Sequence, residues 1–425
     1  MLLQRGYHRA PDASPELFGR IDACRLSVWV RPVSLERLRR MSRKATTVTD
    51  VTVTPVPATD PDVLAAWRDL QADGGVGSPF LSWQWAEALA AVPGIASKIQ
   101  VLRVDAGGRT VGLFPIERWS GDAGVSVLGA AGQGWMGADH LDVVAAPDMR
   151  TAVADAVAAF LFRDRSWELL HLDGLARDGA LAAALGRRRP ATVVRLPDRD
   201  VTAPFVDLRA RDPLLLLPSR NLRQQVSRGL RSAEKSGGGL SVCSSPEDVP
   251  DALAVLMELH QERFGARSAI FSTPERRRFH LEVGRRLAEH GMVRVYQLRM
   301  EGTDAALLYA LRLEDRMYYY NMGLRPDVGG SPGRTLLGQV LLSSAAEGMT
   351  ELDLLRGDHG FKLRFATGER VDLHLRLLRP TPRALLMAAR RAAGRLRRRR
   401  AEAEAAAGPD PLPGEVAQRV ADPRP

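Results

Sequence analysis

A short polar turn near the C-terminal end of the sequence combines the residue types that acyl transfer needs. Arg356, Asp358, His359 and Lys362 lie close together along the chain. Attack of an amine or hydroxyl on a thioester needs a proton acceptor and a positive group beside the developing oxyanion. Asp358 could accept the proton, and Lys362 and Arg356 could stabilise the negative charge. A cluster of surface salt bridges is the alternative interpretation, and His359 is only a secondary candidate.

The scarcity of lysine favours a function for this turn. The 425-residue sequence has a net charge of +10, and Lys362 is one of only four lysines among 60 basic residues. The arginine excess is concentrated near the two ends of the chain. The net charge therefore reflects those segments more than the surface around an active site. The two cysteines, Cys24 and Cys243, have neither the spacing of a metal site nor that of a disulfide framework.

A glycine-rich loop precedes the turn and is typical of an anion site. Gly330, Ser331, Gly333 and Arg334 lie between a predicted strand and a predicted helix. Glycines let a ligand approach the backbone, and a helix N-terminus presents free N–H groups with partial positive charge. Arg334 could add a charge-assisted hydrogen bond. The loop therefore predicts a pyrophosphate site, with an ordinary strand-to-helix connection as the alternative.

Three consecutive tyrosines lie on the strand before this loop. In a strand, Tyr318 and Tyr320 share the face opposite Tyr319. One face is expected to pack in the core. The other could line an acyl pocket or donate a proton to a leaving thiolate, and Tyr320 is our candidate for this role.

The surrounding elements predict a mixed α/β fold with two domains, because the chain is too long for one ordinary core. Helices and strands alternate through the first domain, 46–205. The second domain, 206–379, has helices, three successive antiparallel strands, the glycine-rich loop, a helix and further strands. Residues 1–45 are interpreted as a disordered arm or an overextended start, and 380–425 as a basic helix with a disordered tail.

These motifs together resemble a known family. The end of a helix at Arg263-Phe264, Tyr318–Tyr320, Ser331-Pro332-Gly333 and the Asp353–Phe365 segment are similar to cellulose-biosynthesis-type (CelD/BcsL) acetyltransferases. That family belongs to the GNAT superfamily and is a tandem-GNAT relative of the Fem aminoacyltransferases. The resemblance covers about Val48 to Arg379. It implies two tandem GNAT-like domains, each a mixed, mostly antiparallel sheet flanked by helices. Phe361 stands where many members have tyrosine.

The resemblance implies an acyltransferase with acetyl-CoA as its acyl-donor substrate and no metal. The implied acceptor is an amine or hydroxyl of a cell-envelope or exopolysaccharide precursor, either a small molecule or a lipid-linked saccharide. It also implies that Lys362 lies near the reacting centre. A Fem-like transferase that uses aminoacyl-tRNA and a catalytically silent GNAT-fold module at a membrane surface remain the alternatives.

The ends of the chain suggest where it works. No apolar run approaches the roughly 20 residues that span a bilayer, and no signal peptide is evident. The chain is therefore expected to be cytoplasmic. Its C-terminal arginines could contact an anionic membrane, whereas nucleic-acid binding is not favoured because no aromatic residues are interleaved with them.

Overall fold

A computed structural model describes residues 51–407, apart from positions 93, 198–199, 210–216, 218, 236, 266–269, 301, 326, 330 and 358–359. These described residues belong to one compact unit. The predicted extension 1–45, most of the predicted tail, and the candidate residues Gly330, Asp358 and His359 lie outside them.

The described chain folds into ten α-helices and fourteen β-strands, with short 3₁₀ turns between them. The helices are α1 (Pro61–Ala72), α2 (Trp83–Ala91), α3 (Arg150–Arg163), α4 (Ala180–Arg188), α5 (Arg220–Lys235), α6 (Asp248–Phe264), α7 (Pro274–Glu289), α8 (Pro332–Ala346), α9 (Gly360–Leu363) and α10 (Pro382–Ala407). The strands are β1 (Val51–Pro57), β2 (Ile99–Ala106), β3 (Arg109–Ser120), β4 (Ser126–Ala130), β5 (Val144–Ala145), β6 (Leu169–Ala176), β7 (Val194–Arg195), β8 (Asp200–Asp207), β9 (Gly239–Cys243), β10 (Val293–Met300), β11 (Thr303–Leu313), β12 (Arg316–Leu324), β13 (Glu351–Asp353) and β14 (Gly368–Leu378).

All of these strands join one sheet, which is mostly antiparallel. Its order is β1-β2-β3-β4-β6-β14-β8-β13-β12-β11-β10-β9, with β5 on β3 and β7 on β14. The last strand, β14, lies between β6 and β8, so a strand from the C-terminal half pairs with the N-terminal half. The predicted fold class is confirmed. The predicted boundary near residue 205 falls inside the sheet, and independent folding of the two halves stays a prediction.

Local sequence signals set several helix starts. The hydroxyl of Ser82 accepts a hydrogen bond from the Trp85 N–H at 3.1 Å and so caps α2, a role that serine favours at this position. Asp60 caps α1 in the same way, with Pro61 in its first turn. Helix α8 begins at Pro332, so Gly333 and Arg334, which the sequence pattern places before the helix, lie in its first turn.

Two glycines hold α8 close to α5. A side chain at Gly229 would collide with Thr335, and one at Gly338 would collide with Val226. The helices therefore approach each other more closely than larger residues would allow. This contact fixes α8 against the sheet, and with α8 the loop that precedes it.

The tyrosines of β12 divide between the two faces of the sheet as predicted. Tyr318 and Tyr320 belong to a large core that extends through both halves, whereas Tyr319 belongs to a second core beneath α5 and α8. The register with β11 passes from Ala310↔Tyr319 to Tyr309↔Asn321, so Tyr320 is the extra residue of a β-bulge. A bulge redirects side chains, and this one lies in the middle of the predicted site.

Candidate active site

A cavity of about 390 Å³, cavity A, opens at the N-terminus of α8. Its floor is apolar, and it receives residues from both segments that the sequence singles out. The lining residues are Leu222, Arg263, Met322, Leu324, Arg325, Val328, Ser331, Pro332, Gly333, Arg334, Phe361, Arg364 and Phe365. The fold therefore brings the glycine-rich loop next to Phe361, Arg364 and Phe365, which adjoin the polar turn, whereas Arg356 and Lys362 do not line cavity A.

The start of α8 is shaped by strain and close packing. Ser331 is the N-cap and has a positive φ of 59°, an unusual conformation for a residue other than glycine. Its side chain does not cap the helix, because its hydroxyl accepts a hydrogen bond from Arg334 at 3.0 Å. A Cβ on Gly333 would lie 2.9 Å from Leu324. Larger side chains are therefore disfavoured here, and the first turn of α8 faces the cavity.

Cavity A has an excess of positive charge. Arg263, Arg325, Arg334 and Arg364 line it, and no carboxylate belongs to its described lining. None of these four arginines forms an ion pair with a carboxylate in the part of the chain that the structure describes. Arg334 is held in place by Gln225 and Ser331, both of them neutral. An anion entering the cavity would therefore meet uncompensated guanidinium groups.

Lys362 lies on α9 next to this cavity, and its amino group is buried. Only 6% of the residue is exposed. Its Nζ donates hydrogen bonds to the carbonyl oxygens of Leu354 at 2.7 Å and Arg356 at 3.1 Å, and it lies 4.7 Å from the centre of the Tyr319 ring. Burial lowers the pKa of Lys362 to about 8, although nearby carboxylates oppose the change. The ammonium therefore titrates close to physiological pH.

The Lys362 amino group lies where two strands separate. β12 and β13 are parallel, and their pairing ends at Tyr318↔Asp353 although β12 continues to Leu324. Beyond this point the Leu354 N–H donates to the carbonyl oxygen of Pro204 on β8, at 2.9 Å, and not to β12. The Leu354 carbonyl instead accepts the hydrogen bond from Lys362. The gap between β12 and β13 thus has a cation at one edge and the bulge at Tyr320 along the other.

Arg356 forms a clamp between the two halves of the chain. Its guanidinium lies 2.5 Å from Asp139 and 2.5 Å from Asp173, and its backbone N–H donates to Asp139 at 3.1 Å. Asp173 also contacts His374 at 2.9 Å. Burial raises the pKa of Asp139 to about 6, against the effect of Arg356. Two carboxylates compensate the charge of Arg356 and fix the position of its side chain. The direct catalytic role predicted for it stays a prediction.

Tyr320 lies in the core on the face opposite Tyr319. Its hydroxyl donates to the carbonyl oxygen of Met136 at 2.5 Å, and its ring packs against Tyr309 and Phe80. Burial raises the pKa of Tyr320 well above its ordinary value. The hydroxyl is therefore engaged away from cavity A, and its role as a proton donor stays a prediction.

A second cavity, cavity B, of about 490 Å³, lies beside the same gap. Its polar lining includes His140, Asp142, Arg150, Arg316, Tyr318, Asp353, Arg370 and Asp372. Tyr318 and Asp353 are the last paired residues of β12 and β13. Tyr318 lines cavity B, whereas Met322, which lines cavity A, belongs with Tyr319 to the core on the other face, so the two cavities lie on opposite faces of the sheet.

His140 joins three segments at the base of cavity B. Its Nε2 lies 3.2 Å from an Asp353 oxygen and its Nδ1 lies 3.1 Å from an Asp372 oxygen. Although burial opposes the charge, these carboxylates raise the pKa of His140 well above its ordinary value. Arg370 also pairs with Asp353, at 3.0 Å. The charges buried here are therefore compensated within the protein.

Sequence reasoning missed most of this polar network. His140 and Asp372 are 232 positions apart, and Arg356 and Asp139 are 217 apart. No local spacing signals such pairs, because β14 brings them together only in the folded sheet. Among the described residues, no group of three or more His, Cys, Asp or Glu side chains is placed to hold a metal ion.

Comparison with protein families identifies the segment that builds both sides of this gap. Residues 220–363 match a family described as acetyltransferase (GNAT) domain. This segment, about a third of the chain, is therefore similar to a GNAT acetyltransferase domain. It contains α5 to α9, the bulged strand β12 and most of the lining of cavity A. No curated protein matches the chain.

Three solved structures each align with most of the chain. FemX aligns over 73% of this chain and 94% of its own, with 12% identity and a TM-score of 0.51. L-PGS from Bacillus licheniformis aligns over 80% and 98%, with 13% identity and a TM-score of 0.49. A tandem GNAT protein from the clavulanic acid biosynthesis pathway aligns over 78% and 99%, with 17% identity and a TM-score of 0.45. At this identity the likeness to FemX concerns the fold alone.

Proposed function

We propose that this protein is an acyl-CoA-dependent acyltransferase, with acetyl-CoA as the donor, that acts on a cell-envelope or exopolysaccharide precursor. The observation that carries the proposal is the arrangement around the gap between β12 and β13. A cationic cavity at a helix N-terminus borders one side, a polar cavity borders the other, and the buried Lys362 ammonium lies at the gap itself. The match to an acetyltransferase family supports the same reaction class.

Cavity A suits the donor. Coenzyme A combines phosphate groups with an extended, less polar arm that ends in the thioester. The first turn of α8 and the uncompensated arginines would bind the phosphates. The apolar floor, which includes Met322 and Phe365, would hold the arm and direct the thioester toward the gap. Ser331, Gly333 and Arg334 are the described residues that we assign to this binding, and Gly330 is assigned with them from the sequence.

Lys362 would act on the thioester carbonyl. The acceptor nitrogen or oxygen forms a bond to the carbonyl carbon, and its proton passes to a base, for which Asp358 is our candidate. Collapse of the tetrahedral intermediate breaks the C–S bond, and the thiolate leaves and takes up a proton. An ammonium has three N–H groups, and two of those on Lys362 are already engaged. The third would donate to the developing oxyanion.

Cavity B suits the acceptor. It opens on the opposite side of the gap, so an acceptor bound there would reach the carbonyl without crossing the coenzyme. Its buried charges compensate each other, as in the His140–Asp353 pair, while many hydrogen-bonding groups face the cavity. A neutral, hydroxyl-rich group such as a sugar fits this lining better than a strongly charged one.

Titration calorimetry with acetyl-CoA tests the proposal. We expect the wild-type chain to bind it and Arg334→Gln to bind about tenfold more weakly, because one charge-assisted contact is lost. Arg278→Gln on α7, an exposed arginine that does not line the cavity, is the matched control. Absence of acetyl-CoA binding by the folded chain would reject the proposal. Binding of aminoacyl-tRNA in its place would favour the Fem-like alternative.

Product formation completes the test. We expect release of free thiol from acetyl-CoA when saccharide amines or alcohols are supplied, and release that is about 10²- to 10³-fold slower from Lys362→Met. Coenzyme binding without turnover for every acceptor tried, in a chain that folds normally, would favour the catalytically silent alternative.

A further inference from the structure

Helix α10 lies on the surface of the protein and is attached along one side. Ala384 and Met387 are fully buried and pack on a small apolar cluster formed by β4, β6 and β14. Arg391 extends this attachment, because its guanidinium lies 2.9 Å from the carboxylate of Asp122. One face of the helix is therefore fixed, and the opposite face must point outward.

That outward face is apolar. Leu385, Leu386 and Leu396 are 50%, 48% and 60% exposed, values that are unusual for leucine. At 100° per residue these three positions fall within one stripe opposite Ala384 and Met387. Exposed Ala389 and Ala393 lie between them in the same stripe. The protein thus exposes a row of aliphatic side chains along a helix of 26 residues.

A row of arginines runs beside the leucine stripe. Arg383, Arg390 and Arg397 recur every seven residues, which places them on one flank of the helix, and all three are exposed. Between Pro382 and Arg400 the sequence has no aspartate or glutamate. The exposed face therefore combines apolar surface with uncompensated positive charge.

We propose that α10 docks this protein on an anionic lipid bilayer. The helix would lie in the plane of the membrane surface, with the three leucines inserted among the acyl chains and the arginine row level with the lipid phosphates. None of the described helices is long and apolar enough to cross a bilayer, which agrees with a helix that lies on the surface. Charge alone would serve RNA equally well, but an exposed leucine stripe serves only an apolar partner.

Vesicle flotation with the full chain tests this proposal. We expect binding to vesicles of mixed phosphatidylcholine and phosphatidylglycerol, and little binding to phosphatidylcholine alone. Replacement of the stripe in Leu385→Gln/Leu386→Gln/Leu396→Gln should weaken binding more than about tenfold, because the inserted apolar area is lost. Arg390→Gln/Arg397→Gln should weaken it several-fold. Raising the salt from about 0.05 to about 0.5 M should also weaken it.

Matched variants separate the helix from general effects. Val242→Gln removes an exposed apolar side chain from β9, and Arg109→Gln/Arg278→Gln removes two exposed arginines elsewhere. Both should bind vesicles like the wild type. Circular dichroism should show unchanged thermal unfolding for every variant, because the changed side chains are exposed.

Three results would overturn the proposal. The first is wild-type binding by the leucine variant. The second is preferential binding of single-stranded RNA that survives loss of the leucines, which would assign the helix to nucleic acid. The third is a wild-type dimer that becomes monomeric in the leucine variant without any vesicle binding, which would make the stripe a contact between two copies. None of these results depends on acyl transfer.

Discussion

The two cavities beside the gap between β12 and β13 handle charge in opposite ways. In cavity A, arginines such as Arg334 and Arg364 face the opening without a carboxylate among its described lining. In cavity B, His140 is held between Asp353 and Asp372. Uncompensated charges can bind a ligand of opposite charge, whereas compensated charges hold parts of the protein together. The contrast agrees with our proposal that one side recognises an anion and the other a polar, neutral group, and the His140 contacts also join the two halves of the chain.

A substitution at the gap between the cavities should have the largest effect on activity. Lys362→Met should lower kcat by about 10²- to 10³-fold with little change in acetyl-CoA affinity, because the ammonium acts on the oxyanion rather than on the bound coenzyme. Wild-type activity should also fall as the pH rises through about 8, since the lowered pKa of Lys362 marks the loss of its charge. Steady-state kinetics against pH measure both.

Lys98→Met, an exposed lysine outside both cavities, is the control and should keep wild-type kinetics. Equal loss of coenzyme affinity and turnover in Lys362→Met would instead make this lysine part of donor binding.

Loss of His140 from cavity B should lower the stability of the folded protein. His140→Ala leaves Asp353 and Asp372 facing each other without the imidazolium, and we expect the free energy of unfolding to fall by about 2–4 kcal/mol. Because the folded pKa of His140 is raised, its contribution is complete below its unfolded value near 6.5 and is lost as the pH rises through the folded pKa. The difference between wild type and variant in urea unfolding should therefore be largest at low pH.

His290→Ala removes a more exposed histidine that contacts Glu87, and it should cost less than about 1 kcal/mol. Adding Asp372→Asn to His140→Ala should recover part of the loss. A His140→Ala protein as stable as the His290→Ala protein would mean that this pair does not fasten the halves.

Loss of an arginine from cavity A should lower only the affinity for acetyl-CoA. Arg364→Gln changes an exposed side chain of the lining, so stability should be unchanged, while acetyl-CoA binding weakens by about threefold to tenfold. Calorimetry and thermal unfolding measure the two quantities. A stability loss without an affinity change would give cavity A the structural character that we assign to cavity B.

The smallest effect is expected at the bulge between the cavities. Tyr320→Phe removes the hydroxyl that donates to Met136 and should cost about 1 kcal/mol of stability, with kcat within about twofold of wild type. Urea unfolding and steady-state kinetics test this. A fall in kcat of more than about tenfold would support the proton-donor role predicted from the sequence.

Local features of the sequence predicted much of the fold and part of the site. The alternation of Tyr318 to Tyr320 depends on neighbours in sequence, and the position of the glycine-rich loop at the start of α8 depends on one strand–helix unit. The short strand β8 was missed, because Pro204 and the acidic ends of that segment hide its strand pattern. The Arg356 clamp was missed as well, because its carboxylates are far away in sequence.

The position of β14 has a consequence for how the chain is made. β6 pairs with β4 on one side and with residues 372–378 on the other. During synthesis, the outer edge of β6 therefore stays unpaired while nearly 200 further residues leave the ribosome. Such an edge invites association with other chains. The N-terminal half alone should accumulate as an aggregation-prone species, and stalled or truncated products should depend on chaperones until β14 is delivered.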